Sequence, residues 1–277
     1  MTAFDPFQAL TGPLVLLGAG KMGGAMLEGW LAAGLPPERV VVLDPHPAPE
    51  VEALATRGVA LNPPASVIGA AGAIVVAVKP QVAADILPGL SAHIGPQTLV
   101  LSIMAGKTLG FLAATLPAGT AAIRSMPNTP AAIGRGVTVA VANAHTSAPQ
   151  RALAHALLAT TGSVEWIQDE RLMDAVTAVS GSGPAYVFLL AEALARAGVA
   201  AGLPEELAER LARATVSGSG ELLHRMTADA ATLRRNVTSP GGTTAAALDV
   251  LMADDGLQPL LDRAVAAAAR RSEELSG

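Results

Sequence analysis

The chain of 277 residues has no cysteine, which excludes disulfide bonds, thiolate metal sites and cysteine nucleophiles. Aromatic residues make up only 3% of it, too few to supply many stacking platforms for single-stranded nucleic acids. Charged residues contribute only 15%, and the net charge of −5 opposes a role in binding nucleic acids. So few charges would leave a monomer with much exposed apolar surface. Two explanations stay open, an alanine-rich composition and a large interface between subunits.

The sequence also lacks a long continuous apolar run. Its two longest uncharged segments, 58–78 and 86–106, are interrupted by prolines, so neither fits a membrane helix of about 20 residues. No basic residue precedes Lys21, so the N-terminus lacks the positive region of a secretory signal. We therefore expect a soluble, cytoplasmic protein.

The first 167 residues alternate between short apolar runs and helical segments. Strands are predicted at 14–17, 40–43, 73–78, 99–103, 121–125, 137–142 and 164–167, with helices between them that include 23–33, 49–57 and 81–90. Apolar runs of this length, bounded by Gly and Pro, are typical of strands covered on both faces. The alternation predicts a Rossmann-type α/β fold, a doubly wound parallel sheet.

After about residue 169 the strand-like runs end, and apolar residues recur at helical spacing instead. One stripe contains Val187, Leu190 and Leu194, and others run through 203–211 and 257–268. These stripes predict an all-α second domain, with the apolar residues in a core or a subunit interface rather than in a cofactor groove.

A G-x-G-x-x-G turn, formed by Gly18, Gly20 and Gly23, lies between the first predicted strand and the first helix. In dinucleotide-binding folds the first glycine permits the tight turn, and the second lets the backbone approach a pyrophosphate. The third lets helix and strand pack closely. Lys21 and Met22 complete the turn, and the free amides at the helix N-terminus suit an anion. The sequence thus predicts a cofactor site here.

Asp44 ends the second predicted strand, about 20 residues after the glycine turn, where a carboxylate accepts a hydrogen bond from a ribose 2′-hydroxyl. A carboxylate repels the 2′-phosphate of NADPH, and no arginine lies nearby. Asp44 therefore favours NADH, although a contact between His46 and a phosphate stays open.

Three further segments are predicted to bind ligands, two at the carboxyl edge of the sheet and one at the start of a later helix. Ala77, Val78, Lys79 and Pro80 end the third predicted strand, at the carboxyl edge where such sheets bind ligands. Asn128 lies in a loop at the same edge, between two prolines that stiffen it. The segment 236–244 has a glycine pair ahead of a helix, which predicts a nest of backbone amides for a small carboxylate.

Five segments together resemble the pyrroline-5-carboxylate reductase family of proline biosynthesis. They are 18–23 (GAGKMG), 77–80 (AVKP), 126–130 (MPNTP), 180–186 (SGSGPAY) and 239–244 (SPGGTT), and the likeness covers nearly the whole chain. It implies NAD(P)H-dependent reduction of 1-pyrroline-5-carboxylate to L-proline by hydride transfer to the cyclic imine. It also implies a dinucleotide-binding domain at 1–168 and a helical dimerisation and substrate-binding domain at 169–277. In the family, interlocked homodimers, some assembled further, take substrate contacts partly from the partner subunit.

The resemblance also implies residue roles. Ser239, Gly242 and Thr243 match the family's substrate-carboxylate site, and Thr244 matches the catalytic threonine that faces the imine nitrogen. Further matches are Asn236 at the substrate and Lys79 and Pro80 at the cofactor. The family commonly uses NADPH, so the cofactor is NADPH or NADH. No metal is expected, because the five histidines lack metal-ligand spacing.

Structural roles are the alternatives for several of these residues. Thr244 is alternatively a helix cap, Lys79 a solvated lysine at a strand end, and Asn128 a partner only of its own loop. The segment 180–184 is interpreted as the start or kink of a helix, with Pro184 at the first helical position. Two other functions also stay open. One is a related imine reductase or dehydrogenase for another small acid, and the other is a non-catalytic dinucleotide sensor.

Overall fold

A computed structural model of the chain describes residues 7–276. Contacts divide these residues into two units, the first formed by 7–181 together with 269–276 and the second by Ser182–Ala268. The division falls after residue 181, whereas the sequence places the domain boundary after residue 168. The domain limits 1–168 and 169–277 stay a prediction.

The first unit is built on one sheet. Residues 7–276 contain eight strands, β1 (Leu14–Leu17), β2 (Val40–Leu43), β3 (Ala60–Leu61), β4 (Ala73–Val76), β5 (Leu99–Ser102), β6 (Ala121–Met126), β7 (Gly136–Ala142) and β8 (Gly162–Trp166). They lie in the order β3-β2-β1-β4-β5-β6-β7-β8. The order reverses at β1, which pairs in parallel with β2 on one side and with β4 on the other. This confirms the predicted α/β fold.

Two details of the sheet differ from the sequence prediction. Strand β7 runs antiparallel to β6, because only the short turn Thr129–Ile133 joins them and a parallel pair needs a longer crossover. Strand β3 was missed, because it is only two residues long and two prolines follow soon after it. The sheet is therefore parallel from β3 to β6 and mixed beyond.

The central strands are buried on both faces, as the continuous apolar runs predict. In β1, Leu14 and Leu16 belong to one hydrophobic cluster, while Val15 and Leu17 belong to the other. Strands β2, β4 and β5 alternate in the same way. Because the side chains of a strand point to its two faces in turn, one hydrophobic layer lies on each side of the sheet.

Helices connect the strands of the first unit, although some are shorter than predicted. Their bounds are α1 (Lys21–Ala32), α2 (Pro49–Leu54), α3 (Ala65–Ile68), α4 (Ala83–Ile86), α5 (Leu109–Thr115), α6 (Ala148–Ala159) and α7 (Met173–Val176). The helix predicted at 81–90 is interrupted. Only α4 is α-helical there, between the tighter turns Pro80–Val82 and Leu87–His93, and Pro88 lacks the amide that a continuous helix requires.

The remaining elements are all helical, as predicted. They are α8 (Gly183–Ala200), α9 (Glu205–Arg225), α10 (Ala230–Asn236), α11 (Thr243–Leu251) and α12 (Leu257–Ser276). Within the second unit only Ala208 and Ala212 are buried, whereas large apolar residues of α8, α9, α11 and α12 are exposed. A unit with so small a core does not bury enough apolar surface by itself, which favours a subunit interface as the place of the predicted stripes.

One helical stretch of the described chain, Glu170–Ala200, is long and apolar enough to cross a membrane by length and composition alone. It lies outside the uncharged segments 58–78 and 86–106. Of the 18 most apolar consecutive residues in this stretch, only 6% are buried within the single chain.

Glu170→Ala is expected to destabilise the first unit by about 3 kcal/mol. Arg124, only 4% exposed in β6, places its Nη1 2.9 Å from Oε1 of Glu170, and the same oxygen accepts a hydrogen bond from the amide of Leu109 at 2.8 Å. Removing the carboxylate leaves a buried guanidinium without its counter-ion. Urea unfolding at fixed protein concentration measures the loss.

The matched control is Arg171→Ala, which breaks an ion pair with Asp169 at the protein surface. Solvent screens such a pair, so this variant should unfold at the same urea concentration as the parent. Equal stabilities of the Glu170 and Arg171 variants would contradict the structural role of the Arg124–Glu170 pair.

Candidate active site

The glycine turn connects β1 to α1 at the carboxyl edge of the sheet, where the strand order reverses. Gly18 has a φ of 89°, and a Cβ there would lie 2.9 Å from the carbonyl oxygen of Ala77. A Cβ on Gly23 would collide with the carbonyl oxygen of Gly18. The fold itself therefore requires glycine at these two positions.

Gly20 has a different explanation. A Cβ at Gly20 would meet no protein atom within 4 Å, and its φ of −67° suits any residue. Gly20 is also the N-cap of α1 and provides no side-chain cap, so the first amides of the helix, beginning with Lys21 and Met22, lack partners within it. Open space beside uncapped amides fits the pyrophosphate of a dinucleotide.

The segment after β4 adjoins this turn. The amide of Ala77 donates to the carbonyl oxygen of Leu17 at 2.8 Å, and the carbonyl of Ala77 lies against Gly18. Val78 is half-buried, Lys79 is exposed, and Pro80 begins the turn Pro80–Val82. Within residues 7–276 the Lys79 ammonium forms no ion pair, so it is available to a phosphate or to solvent.

The Asp44 carboxylate lies against the glycine turn. Its Oδ2 accepts a hydrogen bond from the amide of Ala19 at 2.7 Å, and its Oδ1 accepts one from the amide of His46 at 2.8 Å. Asn62, at the end of β3, holds the backbone of Asp44 on both sides. Asn62 was not among the predicted site residues, although an asparagine directly before Pro63 and Pro64 is a visible signal in the sequence.

Asn128 is buried, and its side chain is engaged in the structure. Its Nδ2 donates to the carbonyl oxygen of Ser180 at 3.1 Å, and its Oδ1 accepts from the amide of Val137 at 2.9 Å. These bonds reach beyond the loop of Asn128, so the alternative that it serves only that loop is wrong. A cofactor contact by Asn128 stays a prediction. In the structure its side chain ties the loop to Ser180 and Val137.

Ser180 belongs to a wide helical turn, Thr177–Gly181, in which the hydrogen bonds span five residues. Such turns are frequent at functional sites, and the sequence did not predict this one. A Cβ on Gly181 would lie 2.5 Å from Cε of Met126, so two of the family-like segments pack against each other here. A helix does start in the segment 180–184, as interpreted, but α8 begins at Gly183, so Pro184 is its second residue rather than its first.

The predicted carboxylate nest lies in the second unit, at the start of α11. The amide of Gly242 donates to the carbonyl oxygen of Ser239 at 3.0 Å, and Gly241 between them has a φ of 68°. Gly242 is the N-cap and offers no side-chain cap, so the first amides of the helix, beginning with Thr243 and Thr244, have no helical acceptor. These uncapped amides are suited to bind a small carboxylate.

Thr244 is the second residue of α11, so the alternative that it caps this helix is wrong. It is half-buried, and its hydroxyl has no hydrogen-bond partner within residues 7–276. A hydroxyl without a protein partner, one residue inside an uncapped helix terminus, is free to bind a ligand.

Asn236 is the last residue of α10 and is exposed. Asp229 caps the start of that helix by accepting from the amide of Thr232 at 2.6 Å, and this bond lowers the pKa of the Asp229 carboxyl. The contribution of the cap is therefore present at neutral pH and is lost as the pH falls through the lowered pKa.

The structure thus gathers the predicted cofactor residues in the first unit and the predicted substrate residues in the second. An apolar groove of about 1060 Å³ elsewhere in the first unit, lined by Arg151 and Trp166 among others, contains none of them. Among the described residues no three His, Asp or Glu side chains are placed to hold a metal ion.

Comparison with known proteins gives two family matches. Residues 170–275 match the family described as pyrroline-5-carboxylate reductase dimerisation. Residues 13–106 match the family described as NADP oxidoreductase, coenzyme F420-dependent. The first range contains the predicted substrate residues 236–244, and the second contains the predicted cofactor residues except Asn128.

Curated relatives and solved structures extend the likeness to the whole chain. The pyrroline-5-carboxylate reductase of Synechocystis is 41% identical over 95% of this chain and 97% of its own, and that of Pseudomonas aeruginosa is 37% identical over 95% and 96%. The structure of the Coxiella burnetii reductase matches with a TM-score of 0.89 and 32% identity over 96% of this chain and 99% of that one. The Plasmodium falciparum reductase, solved with NADP bound, matches with a TM-score of 0.79 and 28% identity over 96% and 99%. Because the match to the dimerisation family, the curated relatives and the solved structures agree over nearly the whole chain, the chain belongs to the pyrroline-5-carboxylate reductase family.

Proposed function

We propose that the chain reduces 1-pyrroline-5-carboxylate to L-proline with NAD(P)H. The observation that carries this proposal is a pair of helix N-termini with glycine caps, at Gly20 and Gly242, in a chain that belongs to this family. Each leaves backbone amides free for an anion. The pyrophosphate of the cofactor is the anion at the first, and the carboxylate of the substrate is the anion at the second.

The cofactor is held at the carboxyl edge of the sheet. Gly18, Gly20 and Gly23 shape the backbone, and the amides beginning with Lys21 and Met22 bind the pyrophosphate. The other residues assigned to the cofactor are Asp44 at the adenosine ribose, and Ala77, Val78, Lys79, Pro80 and Asn128 along the edge formed by β4 and β6. The open space at Gly20 supports this assignment, because no packing requirement of the chain explains it.

The substrate is held at the start of α11. Ser239, Gly242 and Thr243 bind its carboxylate, Asn236 lies at the end of the preceding helix, and Thr244 faces the imine nitrogen. A carboxylate at an uncapped helix N-terminus gains hydrogen bonds from backbone amides and a favourable interaction with the helix dipole. The ring is thereby oriented before any bond changes.

Reduction of a cyclic imine needs a hydride, a fixed orientation and a proton on nitrogen. Bound NAD(P)H supplies the hydride, which is chemistry that no side chain provides. The chain's main contribution is orientation, which is worth up to about 7–11 kcal/mol. Because an ordinary threonine hydroxyl is a poor acid, we expect the substrate to enter as the iminium ion, with Thr244 orienting it rather than donating a proton.

Thr244→Val is expected to lower kcat/KM at least about tenfold, which corresponds to about 1.4 kcal/mol of transition-state stabilisation. Valine keeps the shape of the side chain and removes its hydroxyl. The measurement is steady-state oxidation of NAD(P)H with pyrroline-5-carboxylate. Thr244→Ser retains the hydroxyl and should stay within about threefold of the parent. Unchanged kinetics of the valine variant would remove Thr244 from the mechanism.

The same assay tests the function itself. The purified chain is supplied with NADH or NADPH and with pyrroline-5-carboxylate, other cyclic imines or small keto acids. Turnover with pyrroline-5-carboxylate far above the rest supports the proposal. Turnover of another small acid instead indicates the related reductase, and cofactor binding without any turnover indicates the sensor.

Self-association completes the proposal. The matched dimerisation region has an exposed apolar surface that a second subunit covers, and we extend this to an interlocked homodimer in which the partner supplies part of the substrate site. Part of the stretch Glu170–Ala200 then contacts the partner rather than lipid. We assign the protein to the cytoplasm, without partners among nucleic acids or membranes.

A further inference from the structure

We propose that Asn62 is a positioning residue that holds the Asp44 carboxylate at the adenosine ribose, and that this arrangement makes the enzyme select NADH over NADPH. The inference rests on the proposed function, because it assigns the cofactor of the same site. It concerns only the adenosine end of the cofactor and is independent of the reduced substrate.

Backbone hydrogen bonds fix the orientation of the Asp44 carboxylate. Both of its carboxylate oxygens accept backbone hydrogen bonds, Oδ2 from Ala19 and Oδ1 from His46. The bond to Ala19 fixes the carboxylate directly against the glycine turn. Each carboxylate oxygen has about two acceptor positions, so capacity remains for the hydroxyls of a ribose. Asp44 is therefore an acceptor whose direction is set before the cofactor binds.

The side chain of Asn62 holds the backbone of Asp44 through two hydrogen bonds. Its Oδ1 accepts from the amide of Asp44 at 2.9 Å, and its Nδ2 donates to the carbonyl oxygen of Asp44 at 2.7 Å. Its own amide donates to the carbonyl of Val42 at 2.8 Å, which extends the pairing of β2 with β3. Both faces of the Asp44 backbone are thus fixed by one side chain from the neighbouring strand.

The backbone of Asn62 itself adopts an unusual conformation. Its φ of 47° is the only positive φ at a non-glycine residue in the described part of the chain. Asparagine tolerates this region better than most residues, yet the following Pro63 restricts the backbone further. Strained conformations of this kind are kept where the surroundings over-determine them, commonly at ligand sites. The two bonds to Asp44 are the observed compensation.

The chain segment that contains Asp44 carries little positive charge. From 40 to 56 the sequence contains no lysine or arginine, whereas Glu50 and Glu52 add negative charge. His46 is the one basic side chain of this segment, and it is exposed. Within residues 7–276 the Asp44 carboxylate forms no ion pair, so the 2′-phosphate of NADPH would bring an almost doubly charged group to an oriented carboxylate that no cation neutralises. The 2′-hydroxyl of NADH would instead donate to that carboxylate.

Steady-state kinetics with the two cofactors provide the test. We expect kcat/KM of the parent enzyme to be at least about tenfold higher with NADH, and Asp44→Ser to shift the ratio at least about tenfold toward NADPH. Asn62→Gly permits the positive φ but removes both bonds to Asp44. It should shift the ratio at least about threefold through KM, with kcat retained.

The matched control is Asn143→Gly. Asn143 holds backbone groups in the same manner, with its Oδ1 accepting from Ala122 and its Nδ2 donating to Thr120, but at the start of β6, at the opposite edge of the sheet. This variant should lose stability without any change in the cofactor ratio. A shift with Asn143→Gly equal to that with Asn62→Gly would overturn the positioning role.

Binding of NADH and NADPH without substrate, measured by calorimetric titration, separates this inference from the proposed function. Preferential binding of NADH with no turnover of pyrroline-5-carboxylate would contradict the function and support the selectivity. A parent enzyme that turns over this substrate with an NADH preference below tenfold, or with a preference for NADPH, overturns the selectivity alone. An unchanged ratio in Asn62→Gly removes Asn62 from it.

Discussion

Gly20→Val is expected to weaken the binding of NAD(P)H by at least about 100-fold while changing the free energy of unfolding by no more than about 1 kcal/mol. The protein has no atom within 4 Å of a Cβ at this position, so the new side chain fits the fold. It would occupy the space that we assign to the pyrophosphate. Calorimetric titration with NADH and urea unfolding measure the two quantities.

Two other glycines make this result interpretable. Gly89→Val adds the same side chain at an equally open position, in the turn Leu87–His93, and should bind the cofactor as the parent does. Gly23→Ala should lower stability itself, because its Cβ would collide with the carbonyl of Gly18. Normal cofactor binding by Gly20→Val would show that the open space is not the pyrophosphate site.

Phe188→Asp is expected to separate the subunits and to remove turnover. Phe188 lies in α8 within the matched dimerisation region and is 67% exposed in the single chain, so aspartate costs the isolated subunit little. In a subunit interface the same change buries an unpaired charge, which costs about 3–5 kcal/mol and raises the dissociation constant about 150-fold or more. We expect turnover to be lost with the dimer, because in the proposed interlocked homodimer the partner supplies part of the substrate site. Light scattering and kcat at low protein concentration measure both effects.

Val67→Asp is the matched control for this prediction. Val67 is 69% exposed in α3 and lies outside the dimerisation match, so its replacement should leave both mass and turnover unchanged. A Phe188→Asp protein that stays dimeric would show that this face of α8 is not the interface. A monomer with full turnover would instead contradict the shared site.

Much of the fold was predictable because its signals are local. Continuous branched runs such as Val40–Leu43 specify strands buried on both faces, and apolar residues at helical spacing specify the second half. The direction of β7 and the two-residue strand β3 were not predictable in this way. The first depends on the length of a connection, and the second has too few residues for a pattern.

The candidate site divides along the same line. Gly18, Gly20 and Gly23 were visible together because a tight turn and a close ligand approach both demand glycine within a few residues. Asn62 and the partners of Asn128 were not, since their hydrogen bonds join residues that are 18 and 52 positions apart. No spacing rule connects such residues. The pairing of β2 with β3 brings Asn62 to Asp44, and the packing of the turn Thr177–Gly181 brings Ser180 to Asn128.

The amino-acid order alone was therefore sufficient for the fold class and for the local geometry of the glycine turn and of the helix start ahead of Thr244, because each depends on neighbours within one or two elements. Folding in three dimensions added the distinction between Gly18 and Gly23, which the backbone requires, and Gly20, which no contact within the protein requires. It also added the hold of Asn62 on Asp44. The contact of Gly18 with Ala77 and the hold of Asn62 on Asp44 join neighbouring strands that lie side by side in the sheet but far apart in the chain.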